Sequence, residues 1–216
     1  MTIRAAFYVD GFNVYHALKR LEQPHLKWLD WHALGTLLIP SRSETLEKVV
    51  ICTAITTTNP GKQDRHRRYI TALESKGVVC LRGHFADEER KCPDCSYTWE
   101  KPVEKQGDVN LALSVIDDAH RDNFDHCYLV TADGDQVATA KLLKQRFPAK
   151  RLTTLVITGH RHNHAILHVA DAKITISENH LERCVFPKLV PGTPAVIRPS
   201  EYDPPADWVH PSQRPT

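Results

Sequence analysis

The sequence lacks an apolar run that approaches the ~20 residues of a membrane-spanning helix. Its first residues, MTIRAAFYVDGFN, also lack the basic region and apolar stretch of a signal peptide. These two absences argue against membrane-embedded and secreted classes of protein. We therefore expect a cytoplasmic protein with no membrane partner.

The sequence also has little excess charge. Its 28 Lys and Arg residues nearly balance 26 Asp and Glu residues, which leaves a formal net charge of +2. Overall charge therefore does not mark the chain as a nucleic-acid-binding protein, and any such argument has to come from local clusters.

No internal repeat is visible, and none of the 13 histidines belongs to a recognisable Ser/His/Asp arrangement. The six cysteines do not predict a disulfide framework, because Cys52, Cys80 and Cys127 lie in apolar segments, where a cysteine is usually a small buried hydrophobe. With 216 residues and 41% hydrophobic side chains, the chain is long enough for one sizeable core.

Apolar, β-branched runs alternate with segments of helical spacing along most of the chain. This order predicts an α/β fold with a mainly parallel sheet covered by helices on both faces. The predicted strands are Ile3–Val9, Val49–Ile55, Val78–Phe85, Cys127–Thr131, Leu152–Ile157 and Ala172–Ile176. The predicted helices are Phe12–Leu21, Lys62–Lys76, Asp108–Arg121 and Gln136–Arg146, with shorter ones near Trp31–Leu38 and His164–Ala170.

The C-terminal part is rich in proline, since eight of the 14 prolines fall in the last 30 residues. We therefore expect one domain over residues 1–186 and a proline-rich tail over 187–216, either wrapped on the domain or mobile. Trp208 and Tyr202 favour docking of this tail.

Carboxylates follow the predicted strands at the points where the strands end. Asp10 follows the first strand, and Asp133 and Asp135 follow the fourth. Asp108 opens the helix that leads into the fourth strand. Because the carboxyl ends of parallel strands meet at one edge of a sheet, these side chains should converge there.

Each acid has an ordinary interpretation by itself, as a helix cap or a turn residue. Together they repel one another, and a bound cation is the simplest way to hold them. Mg²⁺ or Mn²⁺ with carboxylate and water ligands can activate water and neutralise a phosphate. The pattern therefore points to hydrolysis of phosphodiester bonds.

Three ordered blocks resemble the signature of NYN domains, which are PIN-like nucleases that include the LabA-like bacterial group. The blocks are Tyr8-Val9-Asp10-Gly11-Phe12-Asn13, Lys105-Gln106-Gly107-Asp108-Val109-Asn110 and Thr131-Ala132-Asp133-Gly134-Asp135, within residues 3–177. The resemblance implies a Rossmann-like sandwich and a metal-dependent endoribonuclease centred on Asp10, Asp108, Asp133 and Asp135, assisted by Asn13. Gln136 departs from the apolar residue that many relatives carry there, and we expect little effect.

The charged insertion Ala86–Gln106 contains Cys92-Pro93-Asp94-Cys95, which resembles half of a zinc knuckle. Zinc needs four ligands, and His84 is the nearest candidate for a third. Structural zinc and a free or redox-active dithiol are both open at this point.

Basic residues after the second and fifth strands are candidates for binding phosphates. They are Lys62, Arg65, Arg67, Arg68 and Arg161, to which Lys105 is added beside the second acidic block. A solvated helix face has the same composition, so that interpretation has equal weight for the first four. We expect RNA as the partner, with DNA as an alternative, and a homodimer is open.

Two other functions compete with the nuclease. One is a noncatalytic RNA-binding or regulatory module with the same fold. The other is a phosphatase- or receiver-like domain, which is disfavoured because Asp10 is followed by Gly-Phe-Asn and not by an Asp-x-Asp-Gly-Thr pattern.

Overall fold

The structure, a computed structural model, describes residues 2–56 and 59–214. The predicted domain 1–186 and the predicted tail 187–216 therefore include residues outside the described part, namely 1, 57–58 and 215–216. The strands are β1 Ile3–Asp10, β2 Glu44–Thr53, β3 Val79–Arg82, β4 His84–Lys91, β5 Thr98–Lys105, β6 His126–Val130, β7 Arg151–Ile157, β8 Ala172–Ile176, β9 Leu189–Val190 and β10 Val196–Ile197. The α-helices are α1 Gly11–Arg20, α2 Trp31–Leu38, α3 Pro60–Glu74, α4 Gly107–His120, α5 Val137–Arg146, α6 His164–Leu167 and α7 Glu178–Arg183. Short 3₁₀ helices cover Pro24–Lys27, Ser200–Tyr202 and Pro211–Gln213.

Six strands form one sheet in the order β3-β2-β1-β6-β7-β8, and all neighbouring pairs are parallel. The sheet separates two apolar clusters, because alternate residues of a strand face opposite sides. Phe7 packs on one side with Leu18 of α1, and Tyr8 packs on the other with Leu111 of α4 and Leu143 of α5. The predicted Rossmann-like three-layer α/β sandwich is confirmed.

The segment Val78–Phe85, predicted as one strand, is divided in the structure. β3 is the edge strand of the sheet and ends at Arg82. β4 pairs with β5 as a separate antiparallel hairpin. Gly83 lies at the division. A Cβ at this position would lie 2.3 Å from the Lys105 carbonyl oxygen, so the close approach of the two chain segments requires glycine. The predicted insertion is therefore a β-hairpin that leaves the edge of the sheet.

The described part of the tail packs on the domain. Val190 of β9 is fully buried. The Trp208 indole N–H donates to Glu182 Oε1 of α7 over 3.2 Å, and Arg214 forms an ion pair with the same carboxylate. Among the described residues, no helix combines the length and apolar character that a membrane crossing requires.

Candidate metal centre

Asp10 lies at the carboxyl end of β1 and is buried. Its Oδ1 accepts from the Asn13 N–H over 2.9 Å, so the carboxylate also caps α1. Gly11 permits this turn, because a Cβ there would lie 2.5 Å from the Cys52 carbonyl oxygen of β2. The turn therefore places Asp10 against the neighbouring strand with almost no solvent contact.

Thr131 follows β6 and is buried beside Asp10. Its hydroxyl donates to Asp10 Oδ2 over 2.9 Å and accepts from the Asp133 N–H over 3.0 Å. The Asn13 side-chain oxygen accepts from the Ala132 N–H over 3.2 Å, which joins the start of α1 to the same loop. The ends of β1 and β6 are thus held together by the hydrogen bonds of the Thr131 and Asn13 side chains.

Asp108 comes from the first turn of α4. The Gln136 side-chain amide donates to the Asp108 carbonyl oxygen over 3.1 Å and to Asp108 Oδ1 over 3.3 Å. The Gln136 oxygen in turn accepts from the Thr139 hydroxyl over 2.9 Å. Gln136 is buried, so the expectation that this departure has little effect overlooked its contact with an acidic site residue.

Three carboxylates converge at this edge of the sheet. One oxygen from each of Asp10, Asp108 and Asp133 lies within 4.8 Å of the others. Burial raises the pKa of Asp10 to about 6, and the charges of Asp108 and Asp133 add to the effect. Burial likewise raises the pKa of Asp108, with smaller contributions from Asp133 and Asp135.

This donor set fits a hard divalent cation, since Mg²⁺ and Mn²⁺ prefer carboxylate oxygens, and a cation would offset both the burial of these acids and the smaller repulsion between them. Asp135 lies beside this group but is not one of the three converging carboxylates. The Asp135 N–H donates to Asp133 Oδ1 over 3.0 Å, and the charge of Asp135 helps to raise the pKa of Asp108.

The three carboxylates line a pocket of about 220 Å³ that also contains residues the sequence did not single out. Glu104 is a further acid there, and its Oε1 accepts from the Gly107 N–H over 2.9 Å. His16, Arg20 and His160 line the pocket as well. Glu104 lies directly before the second signature block, four residues before Asp108, and nothing in the spacing marked it. His160 lies in the loop between β7 and α6, and only the folded position of that loop brings it to the pocket.

The predicted phosphate-binding residues fall into two groups. Arg65 pairs with Glu201, Arg68 with Asp64, and Lys105 with Glu88. Lys62, Arg67 and Arg161 are exposed and, within the described part of the chain, have no carboxylate in salt-bridge range.

Lys27 belongs to the same basic surface, although the sequence did not single it out. Burial lowers the pKa of Lys27, and the charges of Lys19, Arg65 and Lys62 lower it further. This effect requires the four basic side chains to be neighbours.

The predicted zinc set of Cys92, Cys95 and His84 is not assembled. His84 begins β4 beside the sheet, whereas Cys92 and Cys95 occupy the turn beyond the other end of that strand. Eight residues of extended chain separate His84 from Cys92 by roughly 25 Å. His84 instead contacts Gln106 Oε1 over 3.3 Å, so the structure does not bring His84 to the cysteine pair.

The parallel sheet with carboxylates at its carboxyl edge defines a PIN-like, Rossmann-like domain with a candidate metal site. The family model of the NYN domain matches residues 4–177, and the chain belongs to this family of PIN-like nucleases.

Proteins similar to the chain include a curated relative and a solved structure. The chain is 26% identical over 240 residues to "6-hydroxy-3-succinoylpyridine 3-monooxygenase HspA" of Pseudomonas putida, covering 93% of this chain and 75% of that protein. The crystal structure of a protein of unknown function from Vibrio parahaemolyticus has a TM-score of 0.54 at 19% identity, covering 82% of this chain and 94% of that one. This second likeness concerns the fold alone.

Proposed function

We propose that this protein is a metal-dependent endoribonuclease that hydrolyses RNA phosphodiester bonds at the pocket formed by Asp10, Asp108 and Asp133. The observation that carries the proposal is the convergence of these carboxylate oxygens within 4.8 Å of one another. Membership of the NYN family supports it, because this is a family of PIN-like nucleases.

Asp10, Asp108 and Asp133 would hold Mg²⁺ or Mn²⁺, with Asp135 next to them. When bound, the ion supplies an activated water and neutralises charge on the phosphate. Thr131 fixes Asp10 and the Asp133 backbone, and Gln136 fixes Asp108. The protein thus contributes oxygen ligands that are oriented by hydrogen bonds within the chain.

The surroundings of the pocket favour a single-stranded nucleic acid. Arg20 lines the pocket, and Lys19, Lys27 and Lys62 form a basic surface together with Arg65. Two aromatic side chains of α1 stand beside it, with Phe12 48% and Tyr15 40% exposed. Basic groups that follow the backbone and exposed rings that stack on unpaired bases are the usual means of binding single strands.

The test is cleavage of labelled single-stranded RNA, duplex RNA and DNA with Mg²⁺, Mn²⁺ or EDTA. We expect metal-dependent internal cuts in single-stranded RNA. Asp133→Asn should lower the rate by roughly 100-fold or more, since it removes a metal ligand. Asp117→Asn is the matched control, because Asp117 is an exposed carboxylate on the same helix as Asp108 and should leave the rate unchanged.

Two outcomes would redirect the proposal. Wild-type protein that binds RNA but cuts no substrate with either metal would favour the noncatalytic RNA-binding module. Oxygen uptake with 6-hydroxy-3-succinoylpyridine and a reductant, without any nucleic-acid cleavage, would favour the type of reaction named for the Pseudomonas relative.

A further inference from the structure

The turn that joins β4 to β5 presents two cysteines in a constrained conformation. The Cys92 N–H donates to the Tyr97 carbonyl oxygen over 2.8 Å, and the Ser96 N–H donates to the Cys92 carbonyl oxygen over 3.0 Å. Ser96 has a φ of 59°, a left-handed conformation that non-glycine residues seldom adopt. The turn is therefore held by its own hydrogen bonds and keeps both thiols at the tip of the hairpin.

Cys92 and Cys95 form a Cys-x-x-Cys pair at this turn. Both thiols are free, Cys95 is exposed, and Cys92 is half-buried. A Cys-x-x-Cys turn is a common source of two of the four ligands of a structural Zn²⁺.

The chain supplies only half of the ligands for such an ion. A structural zinc site has four protein ligands in a tetrahedron. Among the described residues, the one group of three or more metal-ligating side chains is the Asp10, Asp108 and Asp133 cluster, which contains neither cysteine. A zinc ion at this turn therefore needs two more ligands from outside the chain.

The side chains next to the turn also lack a cover. The rings of Tyr97 and Trp99 stack with centroids 6.2 Å apart, and these side chains are 67% and 42% exposed. Exposed paired aromatics are typical of the centre of a protein interface.

The hairpin strands carry both charge signs, with Glu88 and Glu89 followed by Arg90 and Lys91 on β4. Glu88 already pairs with Arg90 and Lys105 within the hairpin. Glu89 and Lys91 are exposed and have no ion pair among the described residues, so each can meet the opposite charge of a second copy across a twofold axis.

We propose that two copies of this chain join at their hairpin tips through one Zn²⁺ held by Cys92 and Cys95 of each copy. The twofold arrangement completes a four-sulfur tetrahedron and covers the aromatic pairs. The site lies on a hairpin that leaves the main sheet, so it does not depend on the nuclease proposal.

The test begins with protein purified in reductant without chelator. We expect one zinc per two chains and the mass of a dimer by light scattering. Replacement of zinc by Co²⁺ should give the near-ultraviolet thiolate bands and strong visible bands of a tetrahedral sulfur site. A zinc-specific chelator should convert wild-type dimer to monomer, which tests the proposal without any mutation.

The double variant Cys92→Ser and Cys95→Ser should be a zinc-free monomer with an unchanged far-ultraviolet spectrum. Cys80→Ser is the matched control, because Cys80 lies on β3 outside the hairpin, and it should keep both zinc and the dimer. A zinc-free monomer, one zinc on each monomer, a dimer that survives the chelator, or a Cys92–Cys95 disulfide in the reduced preparation would each overturn the proposal.

Discussion

The Thr131 hydroxyl donates to Asp10 Oδ2 over 2.9 Å and accepts from the Asp133 N–H over 3.0 Å. One uncharged side chain therefore sets the orientation of one acid and the backbone of another. Both belong to the group of three whose oxygens converge. The geometry of the site depends on Thr131 although Thr131 is not itself a candidate ligand.

Thr131→Val should preserve the shape of this residue and remove its hydroxyl. Asp10 then loses a donor, and the Asp133 N–H loses its acceptor. We expect a 10- to 100-fold loss of Mn²⁺ affinity or metal-dependent cleavage, roughly the effect of losing a group that orients a metal ligand. Thr131→Ser, which keeps the hydroxyl, should retain most of the wild-type Mn²⁺ affinity and cleavage rate. Calorimetric titration with Mn²⁺ measures the difference, and equal affinities for wild type and Val would refute this role of Thr131.

Gln136→Leu should weaken metal binding by roughly 10-fold, because the Asp108 carboxylate loses the amide that orients it. The Thr139 hydroxyl also loses its acceptor, so some stability should be lost. Gln145→Leu, an exposed change on the same helix, serves as the control for both measurements. If the two variants bind Mn²⁺ alike, Gln136 has no positioning role.

Asp10→Asn should stabilise the protein in EDTA at neutral pH while abolishing metal-dependent cleavage. The pKa of Asp10 rises from 3.8 to about 6 in the folded protein, chiefly through burial. The folded state therefore binds the proton more tightly, so stability falls as pH rises through this range and the cost is complete above about 6. Removing the charge should recover up to about 3 kcal/mol, by 1.36 kcal/mol per pKa unit.

Thermal unfolding of the Asp10→Asn variant from pH 4 to 8 measures this gain, which should shrink towards pH 4. Asp30→Asn is the matched control, because Asp30 also caps a helix through its side-chain oxygen. An asparagine preserves such a cap. A lower melting temperature for Asp10→Asn than for wild type throughout this range would contradict the expected charge relief.

His66 should contribute a pH-dependent part of the stability. Burial lowers its pKa from 6.5 to about 4, and its Nε2 contacts the Thr53 hydroxyl over 3.0 Å. The unfolded chain then binds the extra proton, so this stability is present above pH 6.5 and is lost as pH falls towards 4. The full difference is about 3 kcal/mol.

His66→Gln should flatten the loss of stability between pH 6.5 and 4 in urea unfolding, whereas His120→Gln, an exposed change, should leave the slope as in wild type. An unchanged slope for His66→Gln would show that other histidines dominate the acid sensitivity.

The sequence predicted the main sheet well because its strands are continuous apolar runs, buried on both faces, and its helices have a clear period. The convergence of Asp10, Asp108 and Asp133 followed from the same pattern, since a parallel order brings strand ends and helix starts to one edge. β2 begins at Glu44, whereas its predicted start was Val49. Its first residues include the charged side chains of Glu44, Glu47 and Lys48, so they do not form a continuous apolar run. The β4–β5 hairpin was missed because its exposed strands carry many charged residues and lack an apolar run.

The sequence by itself determined the fold class, the edge of the sheet at which the acids meet, and the three signature blocks of the family. These features depend on local periodicity and on the order of elements, which the chain encodes directly. Only the tertiary structure decided that Thr131 and Gln136 orient the acids, that Glu104 joins the pocket, and that His84 is far from the cysteine pair. Those facts depend on which residues become neighbours across the sheet and along the hairpin, and distance in space is set by packing and strand register rather than by spacing in sequence.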